Sequence, residues 1–298
     1  MAPQTPFPRV GLSHRRELDA DIRVHAAQID VLEVIAEKYF DAGPAELERL
    51  DALAERFTLV PHGLTLSVGS AGRVCPRMLE SIRQLCERVR APWYSDHLAL
   101  SSAPGIDIGH LSPIAYHRTS LRHAAARIHA VQDATGLPFV IENITETHAV
   151  PGGTQALPEF LHALVDATGC GLLLDITNLA INCINAGIDP LREALAMPLD
   201  AVVQVHLAGG KWRRGRLLDT HSAPVPEPVW QLLAALRPRL RHLQAVVIER
   251  DAEYPPFPDL LAEIQRARLA LRPARTATPV SPAQAGTEIS ESSEMCAA

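Results

Sequence analysis

Eight short runs of branched and apolar residues recur along this chain, and between them lie longer stretches with apolar residues spaced three and four apart. The runs cover residues 9–12, 31–35, 57–61, 92–95, 139–142, 171–175, 201–205 and 245–249. The helical patterns cover 45–56, 76–90, 113–135, 157–168, 190–196 and 226–236, with a last one at 258–271. Strand–helix alternation repeated eight times predicts an α/β fold, a closed parallel (β/α)8 TIM barrel. A length of 298 residues suits one such barrel. A doubly wound open sheet is the alternative, but no glycine-rich phosphate loop follows the first run.

From about Arg272 the composition shifts to Pro, Ala, Thr, Ser and Glu. The expected organisation is therefore a barrel domain over residues 1–271 and a disordered tail over 272–298, with Cys296 near its end. Only two residues follow Cys296, which excludes a prenylation box. The five cysteines, Cys75, Cys86, Cys170, Cys183 and Cys296, are odd in number and form no CxxC pair. That usage predicts a reducing, cytoplasmic setting without a disulfide framework. No signal peptide is visible, and no run of ~18 apolar residues predicts a membrane span. The net charge of −6, with Lys38 and Lys211 the only lysines, argues against a nucleic-acid partner.

In a parallel barrel the C-terminal ends of the strands converge on one mouth, so chemistry is expected there. The third run is followed by His62, and the fourth by Asp96 and His97. The fifth ends in Glu142-Asn143. The sixth ends in Asp175, with Asn178 three residues on. The seventh is followed by His206, then by Asp219 and His221, and the eighth ends in Glu249. Each has an ordinary structural reading when taken singly. A histidine can be a hydrogen-bonded core residue, and Asp175 or Asn178 can cap a helix. Taken together they resist it. Gathering several carboxylates in one mouth without positive charge is very costly, and only Glu249 has an adjacent arginine, Arg250. Metal cations relieve that cost.

Mixed imidazole and carboxylate ligands suit iron, manganese, zinc or cobalt, and the absence of cysteine from these positions argues against a structural zinc cluster. The donors exceed the needs of one ion. They suit two or three ions with bridging carboxylates and with open positions for substrate, dioxygen or water.

The ordered motifs HGLTLS, SDHL, IENIT, GCGLLLDITN, VHLAGG, DTHSAPVPEPVW and VIERD run through most of the chain. In these the chain resembles the multinuclear non-heme iron-dependent oxidative enzymes, which include the methanobactin-type oxazolone/thioamide-forming enzyme. The resemblance implies a barrel like that of the metal-dependent sugar isomerases, xylose isomerase included. It implies the metal ligands His62, His97, Glu142, Asp175, Asn178, His206, Asp219, His221 and Glu249, with Asp175, His206 and Glu249 closest to catalysis. Asp96 would lie behind the ligands and orient an imidazole. The implied cofactors are two or three Fe(II)/Fe(III) ions with O2 as co-substrate. The implied substrate is a ribosomal precursor peptide, modified at Cys or at Asp or Asn. Many relatives of this kind work with a small leader-binding partner protein. Lys38 stands where the family commonly has Asn, and Asp96 where Glu is frequent; both leave the ligand set intact.

The peptide would enter beside the mouth, where loops 145–155 and 209–216 follow ligand-bearing strands. Lys211, Arg213, Arg214 and Arg216 form a basic patch that could meet an acidic peptide. Two rival functions share the ligand types. One is a redox-neutral divalent-metal barrel enzyme of the sugar isomerase or phosphodiesterase/endonuclease kind. The other is a non-catalytic metal-binding scaffold.

Overall fold

A computed structural model of the chain describes residues 8–103, 106–146, 148 and 150–272. The expected tail beyond these, with Cys296, lies outside the described residues. Eight parallel strands close into a barrel in chain order: β1 (Arg9–Ser13), β2 (Val31–Ile35), β3 (Thr58–Gly63), β4 (Tyr94–His97), β5 (Phe139–Glu142), β6 (Gly171–Asp175), β7 (Val202–Leu207) and β8 (Ala245–Ile248). Closure is made by β1 on β8, with Arg9 opposite Ala245 and Leu12 opposite Ile248. An open sheet is thereby excluded.

The strands β3, β4 and β7 each run two residues further than their apolar runs predict. His62, Asp96, His97 and His206 are members of their strands rather than the first residues after them. The polar residue that signals a strand's end in sequence is here still paired: His62 lies opposite Ser95, and His206 opposite Asp175. Backbone pairing continues where the side chains turn polar, and the His62, His97 and His206 side chains enter the mouth.

The helices Pro44–Ala54, Pro76–Val89, Leu157–Thr168, Pro190–Ala196, Glu227–Leu236 and Phe257–Leu271 follow the expected spans closely. The helix expected over 113–135 starts later, at Arg118, where the His117 ring accepts the Ser120 N–H. Helix Ile176–Ala186 has no counterpart among the expected spans. It begins directly after β6, without a loop, capped by Asp175. Two antiparallel hairpins also decorate the mouth: Leu100–Ala103 with Ile106–Ser112, and Lys211–Arg213 with Arg216–Leu218.

The alternation of a strand explains both the core and the site. Val31, Val60, Trp93, Val140, Leu173, Ala245 and Val247 form one buried cluster, separate from the larger apolar layer that joins barrel and helices. Two residues further along the same strands stand Glu33, His62, Glu142, Asp175 and Glu249. Side chains two apart point to the same side of a strand. An apolar plug inside the barrel thus carries a polar layer on top of it. No helix among the described residues is long and apolar enough to cross a membrane.

Candidate metal centre

The inward donors form two groups that share one carboxylate: His62 with His97 and Glu142, and Glu142 with Asp175, His206 and Glu249. In the first, His62 Nε2 and His97 Nε2 lie 3.1 and 3.2 Å from Glu142 Oε2, and 3.2 Å from each other. The outer ring nitrogens fix what faces inward. His97 Nδ1 lies 3.0 Å from the Gly63 carbonyl, an acceptor, so it carries the proton and leaves Nε2 with a lone pair. His62 Nδ1 pairs with the Ser95 hydroxyl at 2.8 Å, and Ser95 Oγ is also 3.4 Å from the Pro61 carbonyl. When the imidazole donates to Ser95 and Ser95 donates to Pro61, His62 too keeps its lone pair on Nε2. Two lone pairs and a carboxylate oxygen then meet in a buried corner of the mouth, with separations typical of neighbouring ligands around one cation. Bonds of about 2.0–2.2 Å from each donor would reach a common ion.

Glu142 turns its other oxygen to the second group. Oε1 is 3.3 Å from His206 Nδ1, and Glu249 Oε2 is 3.1 Å from that same nitrogen. Glu142 Oε2, Asp175 Oδ2 and His206 Nδ1 are buried without a hydrogen-bond partner. Buried polar atoms are nearly always hydrogen-bonded, so three orphans converging on one region mark a place for a cation. The donor set fits a multinuclear metal centre on this observation.

Asp175 has two jobs. Its Oδ1 accepts the Asn178 N–H at 2.8 Å and caps the following helix, while Oδ2 stays free for the centre. The helix cap therefore leaves Oδ2 available, and the ligand reading is compatible with it. Asn143 clamps this corner: its amide oxygen accepts the Asp175 N–H at 3.0 Å and its amide nitrogen donates to the Asp175 carbonyl at 2.9 Å. The Asn143 carbonyl in turn holds the Asn178 amide nitrogen at 3.3 Å, leaving Asn178 Oδ1 buried and unpartnered.

Asn178, Asp219 and His221 line the same cavity, of about 320 Å³, but join neither group. Asp219 Oδ1 and His221 Nε2 stand 2.7 Å apart at its rim, and His221 Nδ1 lies 3.1 Å from Asp251. His221 adopts a φ of 46°, an uncommon conformation for a side chain with a Cβ, in the DTHSAP loop. Asp96 lies behind His97. It points away from the barrel interior, accepts the His97 backbone N–H at 2.7 Å, and pairs with the His97 ring at 3.8 Å, while the Gly63 carbonyl takes the closer contact with Nδ1 at 3.0 Å. Lys38 is exposed and lines no part of the cavity.

Sequence reasoning missed Glu33. Its Oε2 lies 2.8 Å from His206 Nε2 and also accepts from the Gln204 amide, whose oxygen is held by the Trp93 indole N–H at 2.9 Å. This buried chain places the His206 proton on Nε2 and turns Nδ1 toward Glu142 and Glu249. A carboxylate interrupting the apolar run Val-Leu-Glu-Val-Ile was the available signal. Glu33→Gln removes the charge behind His206, and metal affinity should fall about 10–100-fold, as read by chelator competition. Arg15 was missed as well; it lines the cavity and its Nε donates to Asp251 at 2.8 Å, while buried Arg250 points to Glu263.

The electrostatics show how strongly the site demands positive charge. Burial disfavours the charged form of His97, but the carboxylates of Glu142, Asp96 and Glu249 raise it to about 9. His206 and His221 are likewise raised by neighbouring carboxylates against burial. Burial, then the charges of Glu142 and Asp219, push Asp175 well above the usual carboxylate range. Burial opposes ionisation of Glu142 and Glu249, yet the imidazoles beside them hold both low. For the ion-free protein the sign is definite. The raised His97 stabilises fully below about pH 6.5, and that contribution is lost as pH rises through about 9. Asp175, also raised, acts in the same direction. A metal ion displaces these protons and binds better as pH rises. The melting temperature of ion-free protein should therefore fall over this window, while the increase produced by added Zn(II) grows. A metal-induced shift that is flat with pH would contradict this.

The family model described as RiPP precursor modification enzyme MbnB/TglH/ChrH matches residues 9–272. The chain belongs to this family. Membership places it among enzymes that modify precursors of ribosomally synthesised, post-translationally modified peptides. A UPF0276 protein of Caulobacter vibrioides is 38% identical over 240 residues, covering 80% of this chain and 85% of that protein. Another, from Chromobacterium violaceum, is 36% identical over 258 residues, covering 87% and 91%. Among solved structures, D-psicose 3-epimerase with D-fructose matches with a TM-score of 0.56 at 17% identity, covering 88% of this chain and 99% of the other. Endonuclease IV from Thermus thermophilus matches with a TM-score of 0.57 at 17% identity, covering 89% and 99%. These two likenesses are of fold alone.

Proposed function

We propose that this protein is a multinuclear non-heme iron, O2-dependent oxidase that modifies a residue of a ribosomal precursor peptide, with Cys the first residue to test and Asp or Asn the others. The observation that supports it is Glu142, a buried carboxylate with one oxygen in each of two convergent donor groups. A carboxylate so placed would offer one oxygen to an ion in each group. His62, His97, Glu142, Asp175, His206 and Glu249 are the proposed ligands of that pair, with Asn178, Asp219 and His221 available for a third ion. Bound iron would supply open positions for a substrate donor and for dioxygen, and the redox equivalents for the oxidation.

The chain's own residues do the positioning. Glu33 and Gly63 aim the ring nitrogens of His206 and His97. Ile35, Leu64, Leu111 and Ile144 give the cavity apolar walls that hold a substrate carbon and limit water around it. Leu111 comes from the hairpin after β4, which reaches over the mouth. A small leader-binding partner protein and a cytoplasmic location belong to this same proposal, as does a single catalytic domain ending at the last helix.

The test is metal analysis with Mössbauer spectra on protein purified anaerobically from iron-supplemented cells. Two or more irons per chain, including a coupled Fe(II)/Fe(III) pair, and a peptide oxidation that stops without O2 are the expected results. A single zinc or manganese, with activity that persists without O2, would instead establish a redox-neutral isomerase or phosphodiesterase.

A further inference from the structure

The hairpin Lys211–Arg213 with Arg216–Leu218 carries charges that its own folding disfavours. Arg213 and Arg216 are paired directly across its two strands, and like charges so placed are destabilising. The turn between them is Arg214-Gly215, with φ of 50° and 77°. Asn, Asp or Gly suits the first of these positions, whereas an arginine is strained there. Lys211 is neutralised by Glu253, but none of the three arginines makes an ion pair among the described residues. Arg213, Arg214 and Arg216 are all exposed on a chain whose net charge is −6.

The same region concentrates exposed apolar surface. Trp212 and Leu218 on the hairpin and Ile184 on the helix that carries Asn185 are three of the nine large apolar side chains exposed among the described residues. Trp212 is 63% exposed. The hairpin is not loose. Asn185, on helix Ile176–Ala186, accepts the Leu217 N–H at 2.9 Å and donates to the Leu217 carbonyl at 2.8 Å. That helix begins with Asp175 as its cap and carries Asn178 in its first turn. The hairpin leads straight into Asp219 and His221 at the cavity rim.

We propose that the hairpin face formed by Arg213, Arg216 and Leu218, with Arg214 at its turn, docks an acidic, partly apolar segment of the substrate peptide. The proposal rests on the peptide-modification reading and adds a recognition site to it. Carboxylates of the peptide would neutralise the arginine pair, and its apolar side chains would cover Leu218 on the same face. The chain from Arg216 to Asp219 reaches at most ~10 Å. An extended peptide covers that distance in about three residues. Asp219 stands at the rim and the modified residue further in, so the acidic residues recognised should lie about three positions or more from the modified one.

The test needs neither iron nor oxygen, so it can fail independently of the oxidase assignment. The probe is a fluorescein-labelled peptide of alternating Glu and Leu with one Cys, compared with its Lys/Leu counterpart, read by anisotropy and by tryptophan fluorescence. Trp93 and Trp230 are buried, so Trp212 is the responsive reporter. The variant is Arg213→Thr with Arg214→Asn and Arg216→Thr, which suits both the strands and the turn. It should unfold no more readily than the natural chain, keep its metal content, and bind the acidic peptide about tenfold more weakly or worse, with a smaller dependence on salt. The Lys/Leu peptide should not bind. Unchanged acidic-peptide affinity in the variant would overturn the proposal. So would a single-stranded oligonucleotide that competes as well as the peptide, since the face would then be a nucleic-acid site.

Discussion

Glu142→Gln should lose both ions of the proposed pair in one substitution. Its two oxygens face different groups, Oε2 toward His62 and His97 and Oε1 toward His206. A glutamine keeps the shape but presents one oxygen and one N–H donor. Whichever way the amide turns, one group then receives a donor where it needs a lone pair. The replacement also removes a full negative charge from between the imidazoles of His62, His97 and His206. Removing a group that merely supports a ligand costs about 10–100-fold in affinity or activity, so product formation should fall by more than that. Metal content should drop for the whole pair rather than by a single ion. The fold should persist, because the Glu142 side chain ties down no helix or loop, and its backbone pairing in β5 is untouched. Elemental analysis beside a peptide mass-shift assay checks this. Retention of the full metal complement would remove the bridging role.

Asp175 separates structure from chemistry within one side chain. Asp175→Ala loses the cap on helix Ile176–Ala186, at a cost of about 1 kcal/mol, together with the free Oδ2. Asp175→Asn retains an oxygen for the Asn178 N–H, and asparagine caps as well as aspartate does, so stability should stay close to that of the natural chain. Product formation should be lost in both, since neither supplies the anionic oxygen aimed at the centre. His206→Ala should match them in activity while leaving the buried Glu33 carboxylate with only the Gln204 amide as partner, which adds a stability loss of its own. Denaturant unfolding and product assays on the three variants would separate these effects. Full activity in Asp175→Ala or His206→Ala, with the fold retained, would sink the proposed ligand assignment.

Much of this molecule was legible because a barrel writes its plan locally. Each strand is a short apolar run, each helix a three–four pattern, and each strand's last residues fall at the mouth; β2, β5 and β6 coincide with their runs to the residue. The candidate donors were legible for the same reason, as polar residues at the ends of apolar runs. Glu33 was passed over because it lies inside its run, and only the barrel's closure carries β2 around to set it 2.8 Å from His206, 173 residues away. Helix Ile176–Ala186 was hidden because Asp175 ends a strand and caps a helix at once, leaving no loop residues to mark the change.

The sequence by itself determined the strand–helix order, the barrel class, the family and the kinds of ligand at the mouth. These depend on periodicity and residue type, which are local. Only the tertiary structure decided which donors lie together, which ring nitrogen each histidine presents, that Glu142 spans two groups, and that Asp96 turns away from them. Those outcomes depend on register between strands far apart in the chain and on the Gly63 carbonyl, Glu33 and Asn143 behind the donors. A directional lone pair is set by its partners in space, and no spacing along the chain encodes it.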